Sequence, residues 1–178
     1  GGLLVDDIEL YAGPMRVVST ELVSPGAQPL LKRAPINAIY CYKVKTQGVA
    51  SPVEPDSVRL KITPADAVTR VTLRTGKYDR SVDGTVGIKF RNGQVYGSAV
   101  PAADGTVTIP CSGALAPGET ELWIDATPSA HAAIGSKITF EPMGISLGGI
   151  TSGTQGVAIT QRVGYLLAVP DAKVKTLS

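Results

Sequence analysis

The chain has 178 residues and a formal net charge of +2, from 17 basic and 15 acidic side chains. It lacks the basic excess of nucleic-acid-binding domains, so we expect no nucleic-acid partner. Hydrophobic residues make up 43% of the chain and aromatic residues 5%, which allows a sizeable core that must be mainly aliphatic. No apolar run reaches the roughly 18 residues that span a membrane, so we also expect no membrane span.

Alternation of apolar and polar side chains is the dominant pattern along the chain. It indicates strands with one face in a core and one in water. The predicted strands are residues 3–10, 16–23, 36–45, 58–62, 69–75, 86–91, 106–109, 119–126, 137–141 and 157–169. Turn-forming pairs lie between them at Asn92-Gly93, Asp104-Gly105 and Pro117-Gly118. We therefore predict an all-β antiparallel sandwich, Ig-like or jelly-roll-like, of about ten strands.

The domain organisation follows from where turn-forming residues cluster. Residues 46–57 are rich in linker-type residues and could separate an N-terminal arm from a compact core of residues 57–147. We favour a single domain over residues 1–178, with terminal arms that complete its sheets or reach a neighbour. The terminal segments 3–10 and 165–169 are apolar, and such strands could add to the sheet of another copy.

Residues 67–141 resemble Ig-like sandwich modules of bacterial surface-layer and pilus-associated proteins. The segments that carry the resemblance are AVTRVTLRTG (67–76), TVGIKFRNGQVYGSA (85–99), DGTVTIP (104–110), APGETELWIDA (116–126) and GSKITF (135–140). The resemblance implies a module without catalysis, on a cell surface or outside the cell. Virion decoration and fibre proteins share this architecture, so a virion origin stays open.

A basic set lies on the polar faces of the predicted strands between residues 58 and 91. If these strands share one sheet, its outer face is strongly positive. Three interpretations stay open: ordinary solubility, contact with an acidic strand of a neighbouring copy, or binding of an acidic polysaccharide. The members of the set are Arg59, Lys61, Arg70, Arg74, Lys89 and Arg91.

The strand at residues 119–126 carries an acidic face. Its alternation places Glu119, Glu121, Trp123 and Asp125 on one side. The tryptophan ring could stack on a sugar while the carboxylates accept hydrogen bonds from its hydroxyl groups, so this face is a candidate glycan or partner surface. The alternative is a solvated strand face with one half-buried tryptophan.

Other reactive side chains are few. Cys41 and Cys111 could form a disulfide or remain two separate thiols. Asp79 and Asp83 hint at a calcium loop, but the EF-hand pattern is absent, so a turn stabilised by these side chains fits better. His131 stands alone, and we interpret it as structural.

Residues 148–153 are glycine-rich but lack the ending of a phosphate loop, so they indicate a flexible connector. We predict no metal and no cofactor, and no Gly-x-Ser-x-Gly elbow supports an enzyme.

The sequence therefore predicts a non-catalytic structural subunit of a repeating extracellular or virion assembly, such as a surface layer, a filament or a phage coat. The expected partners are copies of itself or other subunits of that assembly. The alternative is a carbohydrate-binding adhesin module that uses the Trp123 face.

Overall fold

The computed structural model describes residues 13–34, 36–78, 85–86, 88–89 and 93–165. Its regular structure consists of fourteen strands and one 3-10 turn at Ala65–Ala67. The strands are β1 (Arg16–Val23), β2 (Leu30–Leu31), β3 (Ile36–Gln47), β4 (Pro55–Thr63), β5 (Val68–Thr75), β6 (Lys77–Tyr78), β7 (Thr85–Val86), β8 (Ile88–Lys89), β9 (Val95–Ala99), β10 (Thr106–Pro110), β11 (Glu119–Pro128), β12 (Lys137–Leu147), β13 (Ile150–Ser152) and β14 (Ile159–Gly164). The predicted 3–10 strand lies outside the described residues, as does the end of the predicted 157–169 strand.

The strands form two sheets that pack face to face, which confirms the predicted all-β sandwich. Sheet 1 has the order β1-β3-β11-β5-β9, and sheet 2 has the order β10-β4-β12-β14-β2. Along sheet 1 every neighbouring pair is antiparallel. In sheet 2 the strands β13 and β14 both pair with β12, and β14 is parallel to β2.

The core lies between the sheets, as the alternation requires. In β4 the side chains Val58, Leu60 and Ile62 are buried while Arg59 and Lys61 are exposed. Sheet 1 contributes larger side chains from β3 and β11, including Tyr40, Tyr42 and Leu122. The burial of these apolar side chains is the main favourable contribution to folding.

The described part of the N-terminal third, from residue 13 onward, belongs to the same sandwich as the rest of the described chain. Strand β3 pairs with β1 on one side and with β11 on the other, so the linker-like residues 46–57 lead from one sheet to the other. Strand β9 belongs to sheet 1 and β10 to sheet 2, so the Asp104-Gly105 turn leads between sheets and does not close a hairpin.

The glycine-rich stretch after β12 differs from the predicted connector. Leu147 pairs with Ile150, so Gly148 and Gly149 form a two-residue hairpin loop. Their φ angles are +55° and +84°, and a type I′ turn requires positive φ at both positions. Glycine reaches that region without the steric cost of a Cβ atom, so residues 148–149 form a defined turn.

Candidate functional site

The predicted glycan face is largely buried. Glu119 is exposed, but Trp123 is 2% and Asp125 3% exposed. The indole packs on the outer side of sheet 1 against Ala38 and Cys41, and its Nε1 donates a hydrogen bond to Glu121 Oε1 at 3.2 Å. A sugar-stacking ring must present one face to solvent, and this ring does not.

Asp125 is the acceptor of a short ion pair on the same outer face. Arg74 Nε lies 2.5 Å from Asp125 Oδ2, across the β5–β11 pairing. Burial raises the pKa of Asp125 to about 6, although the Arg74 guanidinium acts in the opposite direction. This carboxylate therefore belongs to the protein's own packing and is not free to contact a ligand.

The predicted basic face is divided between the two sheets. Arg59 and Lys61 lie on β4 in sheet 2, whereas Arg70 and Arg74 lie on β5 in sheet 1. The condition that these strands share one sheet is not met, because the chain crosses between the sheets after β4. Lys89 is in β8, which pairs with β6 outside both sheets, and Arg91 lies outside the described residues.

The two cysteines are both free thiols. Cys41 points to the outer side of sheet 1, beside Trp123, whereas Cys111 packs against the core between the sheets. Burial raises the pKa of the Cys41 thiol to about 12 and that of Cys111 to about 11. The disulfide considered above does not form here, because the two side chains lie on opposite sides of sheet 1.

The remaining candidates form no reaction centre in the described chain. His131 Nε2 lies 3.8 Å from Asp66 Oδ2, with side chains 71% and 79% exposed, and such a solvent-screened pair contributes little. Asp79 and Asp83 lie outside the described residues. In the part that is described, no three His, Cys, Asp or Glu side chains are grouped to hold a metal, and no helix is long and apolar enough to cross a membrane.

The path of the chain through the sandwich is a feature that alternation could not reveal. Near Gln47, where β3 ends, Met15 N donates to Ala50 O and Val49 N donates to Gly13 O. We call this end of the sandwich the entry pole.

Near Ile36, where β3 begins, the last described residues are held in a similar way. Lys32 N donates to Gly164 O, and Arg33 N donates to Tyr165 O. We call this end the exit pole. Strand β3 is 12 residues long, so the two poles lie roughly 36–40 Å apart at about 3.3 Å per residue.

One lateral side of the sandwich is open as far as the described residues show. Two grooves follow β1, one of about 550 Å³ near Leu22 and residues 155–160 and one of about 400 Å³ near Val17 and residues 147–152. On this side Val18, Ile150 and Val157 are 52%, 70% and 83% exposed. Alternation in the sequence does not show which strand is at an edge, because neighbours in a sheet depend on topology.

Comparison with known proteins agrees with the fold. No family model matches the chain, and no curated protein matches it. Among solved structures, Hadza microbial sialidase Hz136 is similar, with a TM-score of 0.62 and 11% sequence identity. The match covers 81% of this chain and 31% of that one, so this chain spans about a third of that protein. At this identity the likeness shows a shared sandwich fold.

Proposed function

We propose that this chain is a non-catalytic structural module of a repeating extracellular, cell-surface or virion assembly, in which successive copies follow one another end to end. The observation that carries the proposal is that the first described residue, Gly13, lies at one pole and the last, Tyr165, lies at the other. A module with this geometry extends a chain or filament by its full length, whereas one with both ends at a single pole would project sideways.

Two further observations support a structural role. The side chains with the most perturbed environments serve packing: Asp125 pairs with Arg74, and Tyr40 and Tyr42 are in the core. In addition, the similar sandwich accounts for 31% of the longer sialidase chain, so this fold occurs as one part of a larger protein.

The test is to label the two poles separately and ask which ends meet. In a Cys111→Ser background, Val49→Cys marks the entry pole and Ile134→Cys marks the exit pole, since both side chains are more than half exposed. Buried Cys41 should not react. Donor-labelled Val49→Cys protein is mixed with acceptor-labelled Ile134→Cys protein, so that energy transfer reports contacts between copies alone.

The expected result is strong transfer between opposite poles and weak transfer between like poles, in particles that light scattering shows to be large. The proposal is overturned if the protein stays monomeric at high concentration. It is also overturned if particles form with no preference for opposite poles.

A further inference from the structure

The open lateral side, along the edge of β1, indicates where two copies could make a lateral contact. Strand β1 is the last strand of sheet 1 in the described chain, so one of its edges carries backbone N–H and C=O groups without a partner strand there. Such an edge is a template for another strand. The apolar grooves beside β1 offer room for the side chains of an added strand.

A bulge decides which side chains β1 presents on each face. Val17 lies opposite Thr46 and Ser19 opposite Lys45, so Val18 is the extra residue. As a result Arg16, Ser19 and Glu21 are all on the exposed outer face. On the inner face, Val17, Thr20 and Leu22 are half-buried. Without the bulge, Arg16 and Glu21 would be on opposite faces.

We propose that β1 pairs with β1 of a second copy, antiparallel and about a two-fold axis at Ser19. The proposal deepens the assembly role above, on which it rests, by naming the partner of the lateral side. Val18 is the bulged residue and takes no register position. In this register Val17 therefore lies opposite Thr20 of the second copy, and Arg16 lies opposite Glu21 of the second copy. Each pair occurs twice because of the two-fold axis. Opposite charges therefore face each other on the outer face, and the inner side chains of the two copies face each other on the inner face.

The occupant is a second copy because the strand is complementary to itself. A two-fold interface brings the same patch from both molecules together. Arg16 and Glu21 lie on opposite sides of Ser19, so a two-fold axis at Ser19 places each of them beside the opposite charge of the other copy. The hydroxyl of Thr20 is buried without a hydrogen-bond partner among the described residues, and an added strand would lie beside it. Val18, Ile150 and Val157 flank the same edge.

Charge reversal tests the pairing. Glu21→Arg places an arginine opposite Arg16 of the other copy in both pairs, and Arg16→Glu places a glutamate opposite Glu21 of the other copy in both pairs. Each single variant should weaken lateral self-association by about tenfold or more in sedimentation equilibrium. A mixture of the two variants restores opposite charges at both positions, so it should associate as a heterodimer about as well as the wild type.

Cross-linking tests the register. In a Cys111→Ser background, Ser19→Cys should form an intermolecular disulfide under mild oxidation, because directly opposite residues have Cβ atoms about 5 Å apart. Thr108→Cys is the matched control, since Thr108 is exposed on β10, the edge strand of sheet 2. Thr108→Cys should remain largely monomeric.

Rescue that fails in the mixture, or equal cross-linking at positions 19 and 108, would overturn the β1 pairing. The end-to-end proposal can be tested separately, because the pole-labelling experiment can be repeated in the Glu21→Arg variant. Transfer between opposite poles without Ser19→Cys cross-linking would reject the lateral contact alone. Cross-linking at Ser19→Cys, with no preference for opposite poles in the Glu21→Arg variant, would reject the end-to-end arrangement alone.

Discussion

The strands β4 and β11 show the same alternation in the sequence, but the outer side chains of the two strands differ in burial in the structure. On sheet 2, Arg59 and Lys61 alternate with buried residues and are exposed, and Lys61 lies opposite Glu141. On sheet 1, Trp123 and Asp125 alternate with buried residues as well, yet both are buried themselves. The outer face of sheet 1 is therefore covered around Trp123 and Asp125, whereas its β1 end is exposed like the outer face of β4.

The difference arises from a separate apolar cluster on the outer side of sheet 1. The cluster on sheet 1 places Cys41 and Trp123 directly opposite each other, with Arg74 in the next strand. Ala38 completes this cluster, and Val23 and Ile36 pack against it. A second small core thus forms behind sheet 1, which teaches that alternation identifies two faces of a strand but not how many of them are covered.

The largest expected effect is on Trp123. Trp123→Ala removes a buried indole from the small core, and we expect it to lower the free energy of unfolding by about 3–5 kcal/mol. Urea denaturation measures the change. The matched variant on sheet 2 is Lys61→Ala, an exposed position where we expect a change within about 0.5 kcal/mol. Similar values for both variants would contradict the difference between the two faces.

The fold could be predicted from the sequence because its signals are local. The alternation in residues 58–62 and 69–75 follows directly from β geometry, and β4 and β5 include both segments. Strand neighbours could not be predicted, since they depend on contacts far apart in the chain. For example, the sequence does not show that Arg59 and Arg70 lie in different sheets.

The candidate site could be predicted less well, for a related reason. The burial of Trp123 depends on neighbours far away in the sequence, such as Ala38 and Cys41, and nothing in residues 119–126 indicates them. The edge position of β1 is equally non-local. The bulge at Val18 is visible only once Ser19 is seen opposite Lys45, so the shared face of Arg16 and Glu21 could not be inferred beforehand.

The second prediction concerns the ion pair behind sheet 1. Arg74→Met leaves the Asp125 carboxylate buried without its guanidinium, and we expect a loss of about 2–3 kcal/mol at neutral pH. The loss is below that of a fully buried pair because the Arg74 side chain is 22% exposed. Arg70→Met is the control, because exposed Arg70 has Ser98 Oγ as a hydrogen-bond partner, and it should cost little.

A double variant checks the physical cause. Adding Asp125→Asn to Arg74→Met removes the buried charge, so thermal or urea denaturation should show that part of the lost stability returns. Additive losses would mean that the two side chains act independently.

The third prediction compares the two thiols. Cys41→Ser places a hydroxyl beside Trp123, where burial leaves it poorly hydrogen-bonded, so we expect a loss of about 1–2 kcal/mol. Cys111→Ser should cost less, because Cys111 is only partly buried and its Sγ lies 3.3 Å from Ile109 O. Urea denaturation of both variants measures the difference, and an equal or larger loss for Cys111→Ser would contradict the cluster behind sheet 1.

The smallest expected effect is a pH dependence of the free energy of unfolding that comes from Asp125 on sheet 1. Because burial raises the pKa of Asp125 to about 6, well above the roughly 3.9 of an unfolded chain, the folded state binds this proton more tightly. Its contribution to stability therefore increases as the pH falls through 6, by about 1 kcal/mol between pH 7.5 and 5.5.

Asp104 acts in the opposite direction but outside that window. A hydrogen bond from the Thr106 backbone lowers its pKa, so its contribution is lost only as the pH falls below the usual aspartate range. Urea denaturation between pH 7.5 and 5.5 should thus isolate Asp125, and Asp125→Asn should remove this part of the slope. If the variant keeps the wild-type slope, Asp125 does not titrate behind sheet 1, and its burial there would need another explanation.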